Sequence, residues 1–368
     1  MVNRERVVKE FLELVQIDSL TFKERQMADA LMGKLKELGL EVHEDRAGEK
    51  YNGEAGNVIG LLQGNKEGPG LLFLAHMDRV EPGTGIKPVV EQDVIRSEGK
   101  TILAADNCAG IVSILEALRL LKENNDSHPD IEVVFTIAEE GGLFGAKALK
   151  TEQLRAKMAF TFDSTGDVST MVERAPAQDA INITVRGKAS HAGVAPEEGI
   201  NAIQAAALAI AKLKVGRIDK ETTSNIGIIS GGKATNIVPD HVEIKAEVRS
   251  LVEKRVDEET KNMASVFAKQ VAGLGAQVEF KYERIYSSFH IKEDEEVSKR
   301  AAAVLEKMGL KPNRVSLGGG SDANIFNAGG IRCLNMGNGS KKVHTTEEEI
   351  AVEDLVKTAK CCHLLMIS

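Results

Sequence analysis

Three stretches of this chain run through apolar sequence and then end on an acid, two of them with a second polar group beside it. They are Leu71-Leu72-Phe73-Leu74-Ala75-His76-Met77-Asp78, Val134-Phe135-Thr136-Ile137-Ala138-Glu139-Glu140 and Ala159-Phe160-Thr161-Phe162-Asp163. A strand with one wet face alternates apolar and polar residues, whereas a near-continuous apolar run is buried on both faces, as in a parallel sheet covered by helices. Amphipathic helical patterns at residues 2–15 and 22–38 precede these runs, and another at 109–122 separates them. Strands alternating with helices predict an α/β layered sheet. Such sheets gather ligand-binding groups beyond the C-terminal ends of their strands, so the polar endings are where chemistry is expected.

The chain has 368 residues, beyond the roughly 250–300 at which single cores stop growing, so two domains are expected. Between about residues 177 and 284 the pattern changes to strand 180–185, helix 199–213, strands 225–230 and 241–249, helix 252–271 and strand 277–282. That βαββαβ order matches a ferredoxin-like unit able to fold by itself. The reading is a catalytic domain over 1–175 and 287–368, interrupted by an inserted lid or dimerisation domain over 176–286. After the insertion come a helix at 293–308, a glycine-rich turn at 318–321, a strand at 333–336 and a last helix from Val352. These are expected to complete the first α/β layer.

A net charge of −8 speaks against nucleic acid or an anionic membrane as partner. No apolar run approaches the roughly 20 residues of a membrane span, and the charged N-terminus lacks an apolar signal core, so a cytoplasmic location is expected. Cys108, Cys333, Cys361 and Cys362 show no CxxC spacing and read as reduced, buried thiols. Gly318-Gly319-Gly320-Ser321 and Gly337-Asn338-Gly339 lack the Gly-Lys-Ser/Thr of a P-loop, which argues against a nucleotide enzyme.

Five motifs place polar groups at strand ends or in the loops beyond. Alternation places His76 and Asp78 on one face, so the carboxylate can hold the imidazole of a metal ligand. Asp106 opens the helical pattern after Ala104-Ala105, and reads either as a helix N-cap or as a ligand. Glu139 and Glu140 are adjacent and point different ways, so one can bind metal while the other serves as general base. Asp163 ends the next strand, and His344 lies in Lys342-Val343-His344-Thr345-Thr346 ahead of the last helix. Two imidazoles and three carboxylates suit two divalent ions, with Zn2+ the first expectation and Co2+ or Mn2+ as alternatives.

The strings AHMD, AADN, AEEGG, FDS and VHTT, in this order and context, resemble the M20 metallopeptidases over essentially the whole chain. The compact AHMD, the GGGSDAN turn and an aspartate at Asp163 look most like the peptidase T branch. The resemblance implies that Asp106 bridges two metals, with His76 and Asp163 completing one site and Glu140 and His344 the other. It implies Glu139 as the base, Asp78 as the group orienting His76, and His191, in Lys188-Ala189-Ser190-His191, as a donor to the oxyanion, supplied in dimeric members by the other subunit. Asn236 and Arg249 match positions that contact substrate. The implied activity is hydrolysis of short peptides, releasing the N-terminal residue of tripeptides, by a homodimer joined through the inserted domain. An N-acyl-amino-acid deacylase or a carboxypeptidase would use the same metals. Cys108 departs from the family, which often has lysine there.

Overall fold

The apolar runs form strands at Leu71–His76, Ile131–Thr136 and Met158–Ser164, joined by Arg332–Gly337 from the C-terminal segment. All four lie parallel, with Leu71 opposite both Ile131 and Met158, and Arg332 opposite Met158. Every residue of the first two is buried, as parallel strands covered on both faces require. Helix Ala105–Asn124 packs on Leu71–His76 and Met158–Ser164, and helices Arg4–Val15 and Val352–Ile367 pack against it in turn. The C-terminal segment thus completes the α/β layer, as expected.

In this computed structural model, which describes Met1–Ser368, the chain divides into two units. One comprises Met1–Glu173, His290–Ser316 and Ser321–Ser368; the other comprises Arg174–Phe289 and Leu317–Gly320. The large sheet runs Glu41–Glu44, Val58–Leu62, Ile131–Thr136, Leu71–His76, Met158–Ser164, Arg332–Gly337, Thr170–Ala175, Phe289–His290, with Asn313–Ser316 also pairing with Thr170–Ala175. The strand expected to reach residue 138 stops at Thr136, because Ala138 takes a left-handed φ of 50° that no strand accommodates. The edge strand Glu41–Glu44 and a separate sheet of Pro88–Glu91, Val94–Ser97 and Glu349–Ala351 were not expected. Each has only three or four residues, too few to register a periodicity.

The inserted unit has its own sheet, in the order Gly216–Arg217, Thr222–Gly231, His241–Ser250, Ala177–Arg186, Gln277–Tyr286, every neighbour antiparallel. Apart from the short Gly216–Arg217 hairpin this is the ferredoxin-like arrangement. Alternation buries Ile181, Ile183 and Val185 against Ala202, Ala206 and Phe267 of the helices Ala202–Ile210 and Glu253–Gly273. The glycine-rich turn groups with this unit as far as Gly320. A Cβ on Gly320 would fall 2.3 Å from the Tyr286 ring, so any side chain there would have to displace that ring.

Candidate metal centre

His76 is the last residue of its strand and is buried. Its Nδ1 lies 3.0 Å from the backbone oxygen of Asp78, an acceptor that only a protonated Nδ1 can meet, so Nε2 is the nitrogen turned to the site. Nε2 lies 3.0 Å from Asp106 Oδ1 and 3.2 Å from Asp163 Oδ1. The expected hold of the Asp78 carboxylate on His76 is therefore secondary, at 3.4 Å. The chain leaves the sheet after His76, and it is the Asp78 carbonyl that meets the ring.

The Asp78 carboxylate instead organises the base-bearing turn. Its Oδ1 accepts the Glu139 amide at 2.9 Å, and its Oδ2 accepts the Glu140 amide at 3.2 Å and the Thr21 hydroxyl at 2.7 Å. With both amides tied to one carboxylate, the two glutamate side chains are directed from a fixed backbone.

Asp106 is not the helix cap. Asp106 and Asn107 lie outside helical geometry, and the bond between them is cis. Asn107 takes the capping role, its Oδ1 accepting the Gly110 amide at 3.1 Å while its Nδ2 donates to Asp163 Oδ1 at 3.0 Å. The amides of Leu103, Ala104 and Asp106 all end on the buried carboxyl of Glu348. The Asp106 carboxylate is thereby left to the site, with Oδ2 3.4 Å from His344 Nε2. His344, exposed and at φ 64°, reaches Glu140 Oε1 at 2.7 Å. Asp106 therefore touches both histidines, His76 with one oxygen and His344 with the other.

Burial opposes charge on His76, but hydrogen bonds to Asp106 and Asp163 outweigh it and hold the imidazole well above its usual range. His344 is pushed up to about 10 by Asp106 and Glu140. Asp106 is driven far below the usual carboxylate range, the two histidines overcoming its burial. Asp163 rises to about 7 through burial, against the pull of His76. Glu139 rises well above the ordinary range through burial and the charge of Asp163. Asp322 rises to about 6; it is buried, accepts the Thr136 hydroxyl through Oδ2 and leaves Oδ1 without a partner.

So many carboxylates converging on two imidazoles leave uncompensated negative charge, which a divalent cation removes. Ligand atoms of His76, Asp106 and Glu140 lie within 4.8 Å of one another. The mixed nitrogen and oxygen donors fit zinc-type ions. Sequence reasoning missed Thr21, Asn107, Glu348 and Asp322. Glu348 sits in an acidic run that reads as solvated, and Asp322 follows a glycine-rich turn whose pattern points to backbone geometry and not to a buried carboxyl.

His191, Asn236 and Arg249 belong to the inserted unit. His191 pairs with Ile237 in an isolated bridge, and the Ala192 amide donates to the Asn236 carbonyl at 2.9 Å, so their loops are joined. His191 is exposed, and its Nδ1 accepts the Gly193 amide at 3.2 Å. Arg249 spends its Nε and Nη2 on Glu247, each at 3.0 Å, and its Nη1 lies 3.4 Å from the Tyr286 hydroxyl.

Residues 179–273 match the M20 peptidase dimerisation domain, and residues 57–197 match peptidase family M28. The crystal structure of aminopeptidase PepT from Bacillus cereus superposes with a TM-score of 0.93 at 44% identity, covering 100% of this chain and 98% of that one. A tripeptidase from Staphylococcus aureus superposes at 0.96 with 40% identity and the same coverage. Peptidase T of Salmonella arizonae is 25% identical over 97% of both chains.

Proposed function

The chain belongs to the M20 peptidases, close to peptidase T, and from that premise we propose that it is a dinuclear tripeptide aminopeptidase with zinc as its metal. The observation that carries the reading is the double contact of Asp106, one oxygen toward His76 and the other toward His344. His76 and Asp163 would complete one site and Glu140 and His344 the other.

Two bound ions would polarise the scissile carbonyl and bring the pKa of the attacking water to about 7. Glu139 is the general base. It would take a proton from the attacking water and return it to the leaving amine. Asp78, by holding the Glu139 and Glu140 amides, keeps base and ligand on separate headings. Because His191 Nδ1 accepts a backbone amide, the neutral ring carries its proton on Nε2, a donor suited to a developing oxyanion. Asn236 is a contact for substrate backbone. Arg249 would take a substrate carboxylate from its Nη1 side, since Glu247 holds Nε and Nη2.

Dimerisation through the inserted unit is supported by exposed apolar side chains there: Ile228 and Ile229 on Thr222–Gly231, and Ile203 and Leu208 on Ala202–Ile210. Exposed apolar side chains on this strand and helix suit an interaction surface. Four free, buried cysteines suit the reducing cytoplasm. No helix is long and apolar enough to cross a membrane.

The test of substrate class is a metal-reconstituted assay on unblocked tripeptides, N-acetyl amino acids and C-terminally amidated tripeptides. Release of the N-terminal residue from unblocked tripeptides is expected. Cleavage confined to acetylated substrates would instead identify a deacylase, and release of the C-terminal residue a carboxypeptidase.

A further inference from the structure

Glu24 stands just ahead of helix Arg25–Glu37, in the N-cap position, yet its side chain makes no bond to its own helix. It is fully buried, and its Oε1 accepts amides from two separate segments, Phe22 at 2.9 Å and Ala138 at 3.0 Å. Both donors are left-handed non-glycine residues, with φ of 69° at Phe22 and 50° at Ala138. Backbone in that region is strained and persists only where its surroundings over-determine it. Ala138 immediately precedes Glu139 and Glu140, whose amides end on Asp78, and the Ile137 amide ends on Asn57 Oδ1 at 3.1 Å. Four successive amides of this turn are thus tied to buried side chains. The second Glu24 oxygen, Oε2, is buried with no hydrogen-bond partner. An unpaired buried acceptor destabilises, so what the carboxyl contributes here is the pair of amides that its other oxygen accepts.

We propose that Glu24 is a positioning residue for hydrolysis: by clamping Ala138 in its left-handed conformation, it sets the direction in which Glu139 and Glu140 leave the turn. The role rests on Glu139 being the base. Left unclamped, Ala138 would relax toward the ordinary backbone regions and swing the carboxylate that follows it, and small misplacements of a catalytic group cost rate steeply.

The test compares Glu24→Met, which keeps the length and removes the acceptors, with Glu24→Gln, whose carbonyl can still accept both amides. In metal-loaded protein, Glu24→Met is expected to lower kcat about 10–100-fold with KM within about twofold and metal content unchanged. Glu24→Gln is expected to recover most of that loss. Amide hydrogen exchange over residues 137–143 should be faster in the Met variant than in wild type or the Gln variant. Wild-type kcat with unchanged exchange in Glu24→Met would overturn the proposal, as would a loss that Gln fails to restore. Should the Met variant not fold, Glu24→Asp, which withdraws the acceptor by one methylene, is read by the same two measurements: slower turnover with faster exchange supports the clamp, and no change in either overturns it. The exchange result needs no turnover, so it stands apart from the fate of Glu139 as base.

Discussion

The carboxylate of Asp78 accepts the backbone amide of Glu139 at 2.9 Å. Its other oxygen takes the next amide and the Thr21 hydroxyl, so the residue acts on the catalytic turn more than on the histidine two positions before it. Asp78→Asn would turn an NH2 group toward one of those amides. It is expected to lower kcat/KM about 10–100-fold and to weaken metal binding comparably. Steady-state kinetics together with metal titration checks this, and unchanged values in both would remove Asp78 from the machinery.

Glu139→Gln keeps the shape of the base and removes its proton affinity. Metal content is expected to match wild type while turnover falls by about 10²–10⁴-fold. Metal analysis and single-turnover kinetics on the same sample decide it.

His191→Ala is expected to lower kcat with metal content unchanged, by about 10²-fold if the imidazole is a sole oxyanion donor. A wild-type rate would make His191 an ordinary loop residue whose Nδ1 only closes the turn at Gly193.

Burial and the nearby charge of Asp78 push Glu24 up from 4.5 to about 7. A carboxyl with a raised folded-state pKa binds its proton more tightly when folded. Its contribution is fully present below about pH 4.5 and is lost as pH rises through about 7. The shift corresponds to about 3 kcal/mol at most. Denaturant unfolding of wild type and Glu24→Gln at pH 5 and pH 8 should therefore show wild type losing stability relative to the variant at the higher pH. A pH-independent difference would mean that Glu24 does not titrate across this range.

The strand-end residues were legible in the sequence because burial on both faces leaves a long apolar run that a single charged residue interrupts. His76, Glu139, Glu140 and Asp163 stand out for that reason. Asp106 reads from the sequence either as a helix cap or as a ligand, and only the fold shows that its neighbour Asn107 does the capping. Glu348 was invisible: it belongs to an acidic run that looks solvated, and only the tertiary fold brings the amides of Leu103, Ala104 and Asp106 to it. Glu24 was hidden likewise, because nothing in a helix-start pattern announces contact with Ala138, more than a hundred residues away. The inserted unit was legible through its alternating strands, while strands of four residues carry too little pattern to be seen.

Metal analysis of Asp106→Ala beside wild type and His344→Ala tests the shared carboxylate most directly. Wild type is expected to hold about two ions per chain, His344→Ala to lose one, and Asp106→Ala to lose affinity at both positions. Retention of both ions at wild-type affinity in Asp106→Ala would contradict a centre in which this residue serves the two metals together.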